Sequence, residues 1–335
     1  MAPSHNSDFR NALALAFERG ELPLPKSDAK YAMLEAQVLP RSDIDWPTLF
    51  KCEQGFKPLD LELTKNGYQT QQEFELGHTG FKGIVVFPNR SRAQNEINIT
   101  RAWNALPAGG FLVFAADNKA GVKSLRKWVA TKTDIEGDFS KYHAVVFWVV
   151  KRGANWPLNS AQPKTGKYKI GPGVFSADGP DTGSMLLASH FDNRIRGKVA
   201  DFGAGWGYLA CELLERSDRV DQLDLYEANW SALKMAKQNV GFDAIDFHWN
   251  DIATQAPRGP FDWIIMNPPF HTGRAAEPDL GKTFIQNAAK ALPQGGRLLM
   301  VANRNLPYER TLNGVFKKIS MLADSSGFKV IEAIR

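Results

Sequence analysis

The chain of 335 residues reads as α/β, with two tandem doubly wound domains. One strand–turn–helix unit, one stiffened strand end and one internal repeat support that reading. In the unit, Val199-Ala200-Asp201-Phe202 closes a short apolar strand and Gly203-Ala204-Gly205-Trp206-Gly207 follows directly. Tyr208 to Glu215 then has helical spacing. The stiffened end is Asn267-Pro268-Pro269-Phe270, placed after the buried-strand pattern Phe261-Asp262-Trp263-Ile264-Ile265-Met266. In the repeat, a helix, a Leu-Pro-x-Gly-Gly turn and an apolar strand occur twice, at Trp103 to Val113 and at Ala288 to Leu299.

Taken along the chain, Gly83-Ile84-Val85-Val86-Phe87-Pro88-Asn89-Arg90 opens the first copy. It ends as a buried strand should, but lacks an Asn-Pro-Pro-aromatic order, and nothing before it offers a Gly-x-Gly-x-Gly turn. The first half is therefore expected to be a copy that kept its sheet and lost its chemistry. Ala144 to Val150 reads as a further strand. Lys151 to Lys167, rich in Gly, Pro, Asn and Lys, is the expected linker, giving domains 1–160 and 161–335. In the second half Leu223-Asp224-Leu225-Tyr226-Glu227 reads as a strand ending in a carboxylate, about twenty residues past the glycines. Phe247-His248-Trp249-Asn250-Asp251 ends a third strand.

A strand, a Gly-rich turn and a helix make a cofactor site at a sheet's switch point. The glycines alternate strictly, and Tyr208 stands where a dinucleotide fingerprint needs its third Gly, which disfavours a pyrophosphate cradle. At the other strand end, each proline fixes its φ and removes an N–H donor. The Asn267 side-chain carbonyl adds an acceptor and Phe270 a face for stacking. Such acceptors can hold a planar –NH2 group with its lone pair aimed at an electrophilic carbon. Guanine N2, adenine N6, cytosine N4 and a glutamine amide all present such a group, and the tetrapeptide does not choose among them.

Asp201-x-Gly203-x-Gly205-x-Gly207 resembles the first motif of class I S-adenosylmethionine-dependent methyltransferases. From about residue 167 onward the chain is similar to the bacterial ribosomal-RNA guanine-N2 methyltransferases, the "methyltransferase small" group, and within it to the two-domain enzymes of 16S rRNA. Lys169-Ile170-Gly171-Pro172-Gly173-Val174-Phe175-Ser176, Asp178-Gly179, Asp181, Gly183-Ser184 and Leu186-Leu187 match that family's segment before the first strand. Asn267 to Phe270 with His271 and Gly273 match its catalytic loop, and Ala302-Asn303 with Leu306-Pro307-Tyr308 the turn after the next strand. Trp206 and Glu227 stand where the family pattern has a small residue and Asp.

The resemblance implies two class I methyltransferase-like (Rossmann-like) domains, the first degenerate and the second catalytic. It implies S-adenosylmethionine as cofactor and a guanine N2 in ribosomal RNA, or in the small ribosomal subunit, as target. The expected catalytic residues are Asn267, Pro268, Pro269 and Phe270. The expected cofactor contacts are Asp201, Gly203, Ala204, Gly205, Gly207, Glu227 for the ribose, Asp251 for the adenine amine, and Asn267. Phe175 and His271 are candidate substrate contacts; methyl transfer to an amine requires no general base of His271. The large-subunit enzymes share these motifs. A DNA adenine or protein-glutamine methyltransferase, and a non-catalytic RNA-binding assembly factor, are the other readings.

The remaining features set bounds. The net charge of +5 and isoelectric point near 9.0 favour a polyanionic partner. Lys123, Arg126 and Lys127 share a face of an expected helix that either contacts phosphates or is simply solvated. The resemblance implies RNA recruitment by this first domain. No apolar run approaches the ~20 residues of a bilayer span, and residues 1–20 lack a signal peptide's apolar core. Two cysteines, Cys52 and Cys211, support neither a disulfide framework nor a zinc site. A cytoplasmic, metal-free monomer is the expectation. Asp262 reads as a turn residue or cap, Asp181 as a helix cap or cofactor-side acid, and Trp230 and Trp249 as core or rim.

Overall fold

Apolar strand cores and Gly-Pro turns give two α/β units, residues 1–161 and 162–335. The computed structural model describes residues 8–24, 30–76, 80–157, 164–269 and 278–335. The first unit runs α1 (Phe9–Glu18), β1 (Lys30–Leu34), α2 (Trp46–Leu49), β2 (Phe50–Glu53), α3 (Lys57–Lys65), β3 (Gln69–Gln71) and β4 (Phe81–Val86). It continues through α4 (Arg92–Ala105), β5 (Phe111–Asp117), α5 (Val122–Ala130), β6 (Gly137–Lys141) and β7 (Ala144–Val150). The second opens with a short hairpin, β8 (Lys164–Thr165) and β9 (Lys169–Ile170), then α6 (Thr182–Ala188), β10 (Gly197–Phe202), α7 (Tyr208–Arg216), β11 (Val220–Glu227) and α8 (Trp230–Asn239). After these come β12 (Ile245–Trp249), β13 (Trp263–Met266), α9 (Pro278–Ala291), β14 (Arg297–Asn303), α10 (Glu309–Val315), β15 (Lys318–Ser325) and β16 (Phe328–Ile334).

The repeat extends to the whole sheet. The strand orders are β3-β2-β1-β4-β5-β7-β6 and β12-β11-β10-β13-β14-β16-β15, with every strand running one way except β7 and β16. Central strands of a parallel sheet are covered on both faces, so they are apolar throughout. Val199, Ala200, Phe202 and Trp263 to Met266 are all buried. Alternation sends Ala200 and Phe202 towards α9 and α10, and Val199 towards α6, α7 and α8.

Both Leu-Pro-x-Gly-Gly turns are built alike. Gly109 and Gly295 sit at φ +81° and +85°, the left-handed region that side chains avoid. The N–H of Gly110 and of Gly296 donates to Pro107 and Pro293 respectively, at 3.0 Å in each case.

The segment expected as linker is, up to residue 157, part of the first unit. Trp156 stacks on Trp103 with ring centres 4.4 Å apart, Asn104 bonds the Trp156 backbone in both directions, and Lys151 is buried with its ammonium on the Trp103 carbonyl. Aromatic packing overrides a loop-like composition. Among the described residues no helix is long and apolar enough to cross a membrane.

The strand order positions the site. From β10 the chain steps to β11 and β12 on one side, then to β13 and β14 on the other, so β10 and β13 flank the switch point where α/β sheets bind ligands. Phe202 is in register with Met266, so the glycine loop and Asn267 leave the sheet side by side.

Candidate active site

The loop after β10 is held by its backbone. Gly203, Gly205 and Gly207 take φ of +81°, +56° and +91°, which explains their strict alternation. The N–H groups of Gly203 and Ala204 both donate to the Tyr226 carbonyl, at 2.9 and 3.0 Å. A Cβ on Gly205 would meet nothing within 4 Å, so that side of the loop is open; one on Gly207 would lie 2.7 Å from Val240. The open side faces a shallow cleft lined by Phe175, Pro180, Asp181, Ser184, Gly203 to Trp206 and Asn267.

Trp206, the departure from the expected small residue, is buried. It packs with Tyr168 and Tyr208, ring centres 5.1 and 5.6 Å away, and with Ile170 and Val174. The indole thereby anchors the segment that carries Phe175 to the cleft. Phe175 is 61% exposed there, a surface that a planar ligand would cover.

Glu227 ends β11 half-buried. Its carboxylate accepts the Gly205 N–H and the Asn229 N–H, both at 2.7 Å. Burial raises its pKa, against the lowering effect of these bonds. A carboxylate has about four acceptor positions, so acceptor capacity remains for a hydroxyl group. Asp251 is buried just beyond β12 and accepts the Ala253 N–H and the Thr254 hydroxyl at 3.0 and 2.6 Å. It caps its own turn and keeps the other lone pairs. Neither acid lines the cleft that holds Asn267.

Asp201 sits apart from the other residues expected at the cofactor: it has no exposed surface and does not line the cleft. Strand alternation turns it beneath the loop, between Leu225 and Ile265. Burial, then repulsion from Glu227, pushes its pKa up to about 8, with the Ala210 N–H opposing the shift. The side chain is therefore largely protonated at neutral pH.

Asn267 is half-buried at the cleft, with Pro268 buried behind it. Its Nδ2 donates to the Ser184 hydroxyl at 2.9 Å and to the Asp181 carboxylate at 3.3 and 3.4 Å. Its Oδ1 accepts no hydrogen bond among the described residues. Asp181 also caps α6, accepting the N–H groups of Gly183 and Ser184 at 3.0 and 3.2 Å. Of the roles open to Asp181 in the sequence, helix cap or cofactor-side acid, the cap is formed. A fixed acceptor, a shaped backbone loop and an exposed aromatic ring in one cleft suit alignment of an amine against a bound electrophile.

The Methyltransferase small domain family matches residues 167–332. Ribosomal RNA small subunit methyltransferase C of Sodalis glossinidius (strain morsitans) is 32% identical over 262 residues, 76% of this chain and 74% of the relative. The chain belongs to this family. The methyltransferase C of Serratia proteamaculans is 31% identical over 75% of this chain and 74% of its own length. A T. thermophilus 16S rRNA N2 G1207 methyltransferase, solved with AdoMet and guanosine, superposes with a TM-score of 0.76. It is 23% identical, over 92% of this chain and 88% of that one. Both units are thus class I methyltransferase-like α/β domains.

Of the other residues expected from the methyltransferase C pattern, Phe270 and His271 lie outside the described residues. Lys123 and Lys127 are exposed on α5, while Arg126 pairs with Asp138 of β6 at 2.6 Å. Asp262 is a strand link: its carboxylate accepts the Lys198 N–H at 2.8 Å. Trp230 and Trp249 pack edge to face, 6.1 Å apart. Among the described residues no cluster of His, Cys, Asp and Glu could hold a metal. The sequence reading missed the contact of Ser184 with Asn267. Residues 83 positions apart carry no local signal of it; only the shared family match of both segments hinted at it.

Proposed function

We propose that this chain transfers a methyl group from S-adenosylmethionine to the exocyclic N2 of a guanine in 16S ribosomal RNA. The observation that carries this is the Asn267 Oδ1, which has no partner among the described residues, at a cleft lined by the left-handed Gly203 and Gly205. The similarity to a T. thermophilus 16S rRNA N2 G1207 methyltransferase supports guanine N2 among the amines such an acceptor could hold.

The residues fit the cofactor. Open space above Gly205 admits its methionine part, the acceptor capacity left on Glu227 suits a ribose hydroxyl, and Asp251 suits its adenine amine. When bound, it supplies an activated methyl on sulfur. The chain's own work is alignment. The guanine leaves its stack, as enzymes acting on bases require, and rests against an aromatic ring, for which Phe175 and Phe270 are the candidates. Asn267 Oδ1 and the Pro268 carbonyl accept the two N2 hydrogens, which weakens conjugation of the amine with the ring and aims its lone pair. Fixed dipoles and positioning of this kind account for much of many enzymes' rate.

The exposed Lys123 and Lys127 suit phosphates, so the first unit is assigned RNA recruitment, a salt-sensitive role. Both the loop and Asn267 come from one unit, which favours a monomer, and ribosomal RNA as substrate supports a cytoplasmic setting. The test is transfer of an isotope-labelled methyl group to undermethylated small subunits and to naked 16S rRNA, with digests read by mass spectrometry. One new N2-methylguanosine is expected. Label on adenine, on protein or nowhere overturns the reading.

A further inference from the structure

Resting on that reading, we infer that Asp181 and Ser184 are positioning residues that set the polarity of the Asn267 amide. An amide can present either its oxygen or its NH2 to a ligand, and only the oxygen can accept an amine hydrogen. What settles the choice is the chemistry of its neighbours. A carboxylate cannot donate, and Asp181 lies 3.3–3.4 Å from the amide nitrogen. The Ser184 hydroxyl takes the second amide hydrogen at 2.9 Å. Both N–H bonds of Asn267 are thereby used on the α6 side, and Oδ1 is left for the cleft.

The same carboxylate caps α6, so its own position is fixed by the helix it starts. Gly183, on which a Cβ would lie 2.9 Å from the Phe328 ring, seats that helix start against β16. The amide is thus aligned by a side chain anchored to regular structure, and the aligning group does not touch the amine itself.

This makes the isosteric substitution worse than the truncation. Asp181→Asn keeps an oxygen for the α6 cap, but its NH2 meets the amide of Asn267 and favours the flipped amide, a donor facing a donor. Asp181→Ala loses the cap and leaves the amide free to turn, with Ser184 still holding one side. Adding Asn267→Asp to Asp181→Asn restores complementarity, since a carboxylate at 267 accepts from Asn and keeps an oxygen for the cleft.

Kinetics on the full chain with the rRNA substrate test this, alongside S-adenosylmethionine affinity and Tm. Asp181→Asn should lower kcat about 10²-fold by analogy with a lost transition-state hydrogen bond, with cofactor Kd unchanged and Tm near wild type. Asp181→Ala should be the less stable but the faster variant, and the double variant should recover roughly tenfold or more over Asp181→Asn, the signature of coupled sites. An Asp181→Asn enzyme as fast as Asp181→Ala, or a double variant no better than the single one, overturns the inference while wild type stays active. A wild-type chain that puts no methyl on guanine N2 overturns the underlying reading and the inference with it.

Discussion

The two halves repeat one sheet topology but differ at its carboxyl edge, and the differences separate what a fold needs from what a site needs. Leu34 pairs with Val86 as Phe202 pairs with Met266, which aligns Glu35 with Gly203, Gln54 with Glu227 and Phe87 with Asn267. The backbone turn persists in the first half. Glu35 keeps φ +54°, and the Ala36 N–H reaches the Glu53 carbonyl at 3.0 Å, as the Ala204 N–H reaches Tyr226. What changes is which polar atoms remain free. Gln54 is buried with both ends bonded to its own chain, to the Phe56 N–H and the Ala36 carbonyl. Phe87 points into the core.

The first half also ties these strand ends to α4. Arg101 grips both oxygens of Glu53 at 3.1 and 3.0 Å and the Phe74 carbonyl at 3.0 Å, and Asn98 donates to Glu35. In the second half the carboxyl edge keeps open space above Gly205 and an acceptor on Asn267. Beneath its loop lies the buried Asp201, where the first half has the apolar Met33. A polar residue there is a stability cost that the first half does not bear.

The largest expected effect concerns that cost. An acid whose folded-state pKa stands above its unfolded value favours folding while protonated. Its contribution is complete below the ordinary 3.8 and is lost as pH rises towards about 8, by at most about 1.4 kcal/mol per pH unit. Unfolding of the cofactor-free chain should show the second unit losing on the order of several kcal/mol across that window. Asp201→Asn should flatten the slope, and an unchanged slope would refute the buried acid.

Next, Arg101→Ala leaves the buried Glu53 without its cation and should destabilise the first unit by ~3–5 kcal/mol, read as an early unfolding transition. In the second unit Asn267→Ala should lower kcat about 10²–10³-fold by analogy with a lost oxyanion donor while cofactor affinity holds. Weakened affinity with normal turnover would contradict the assignment. The smallest effect should be shared: Gly109→Ala and Gly295→Ala both force a side chain left-handed and should cost about 1–2 kcal/mol each. Markedly unequal costs would break the structural equivalence of the two turns.

What was legible in the sequence was local. Alternating glycines, a Leu-Pro-x-Gly-Gly turn and an Asn-Pro-Pro loop each encode a backbone shape within a few residues, so they reveal the tandem fold and the site's two edges. Long-range partners were not legible. Trp206 finds Tyr168, Arg101 finds Glu53 and Asn267 finds Ser184 only after the sheets assemble. The full burial of Asp201 was not legible for a related reason: an acid before a glycine loop resembles a ligand, whereas its place between the inward-facing Ala200 and Phe202 turns it to the other buried face. Trp156 shows the same limit, since its stacking partner lies 53 residues earlier.

The central claim is that Asn267 presents a fixed oxygen to an exocyclic amine beside the glycine loop. A crystal structure of the chain with S-adenosylhomocysteine and guanosine tests it most directly. The account predicts guanine N2 within about 2.7–3.2 Å of Asn267 Oδ1, with the amide nitrogen still on Asp181 and Ser184, and nothing bound at the carboxyl edge of the first sheet. A base seated with its N2 away from residue 267, or the amide turned so that its nitrogen faces the ligand, would contradict it.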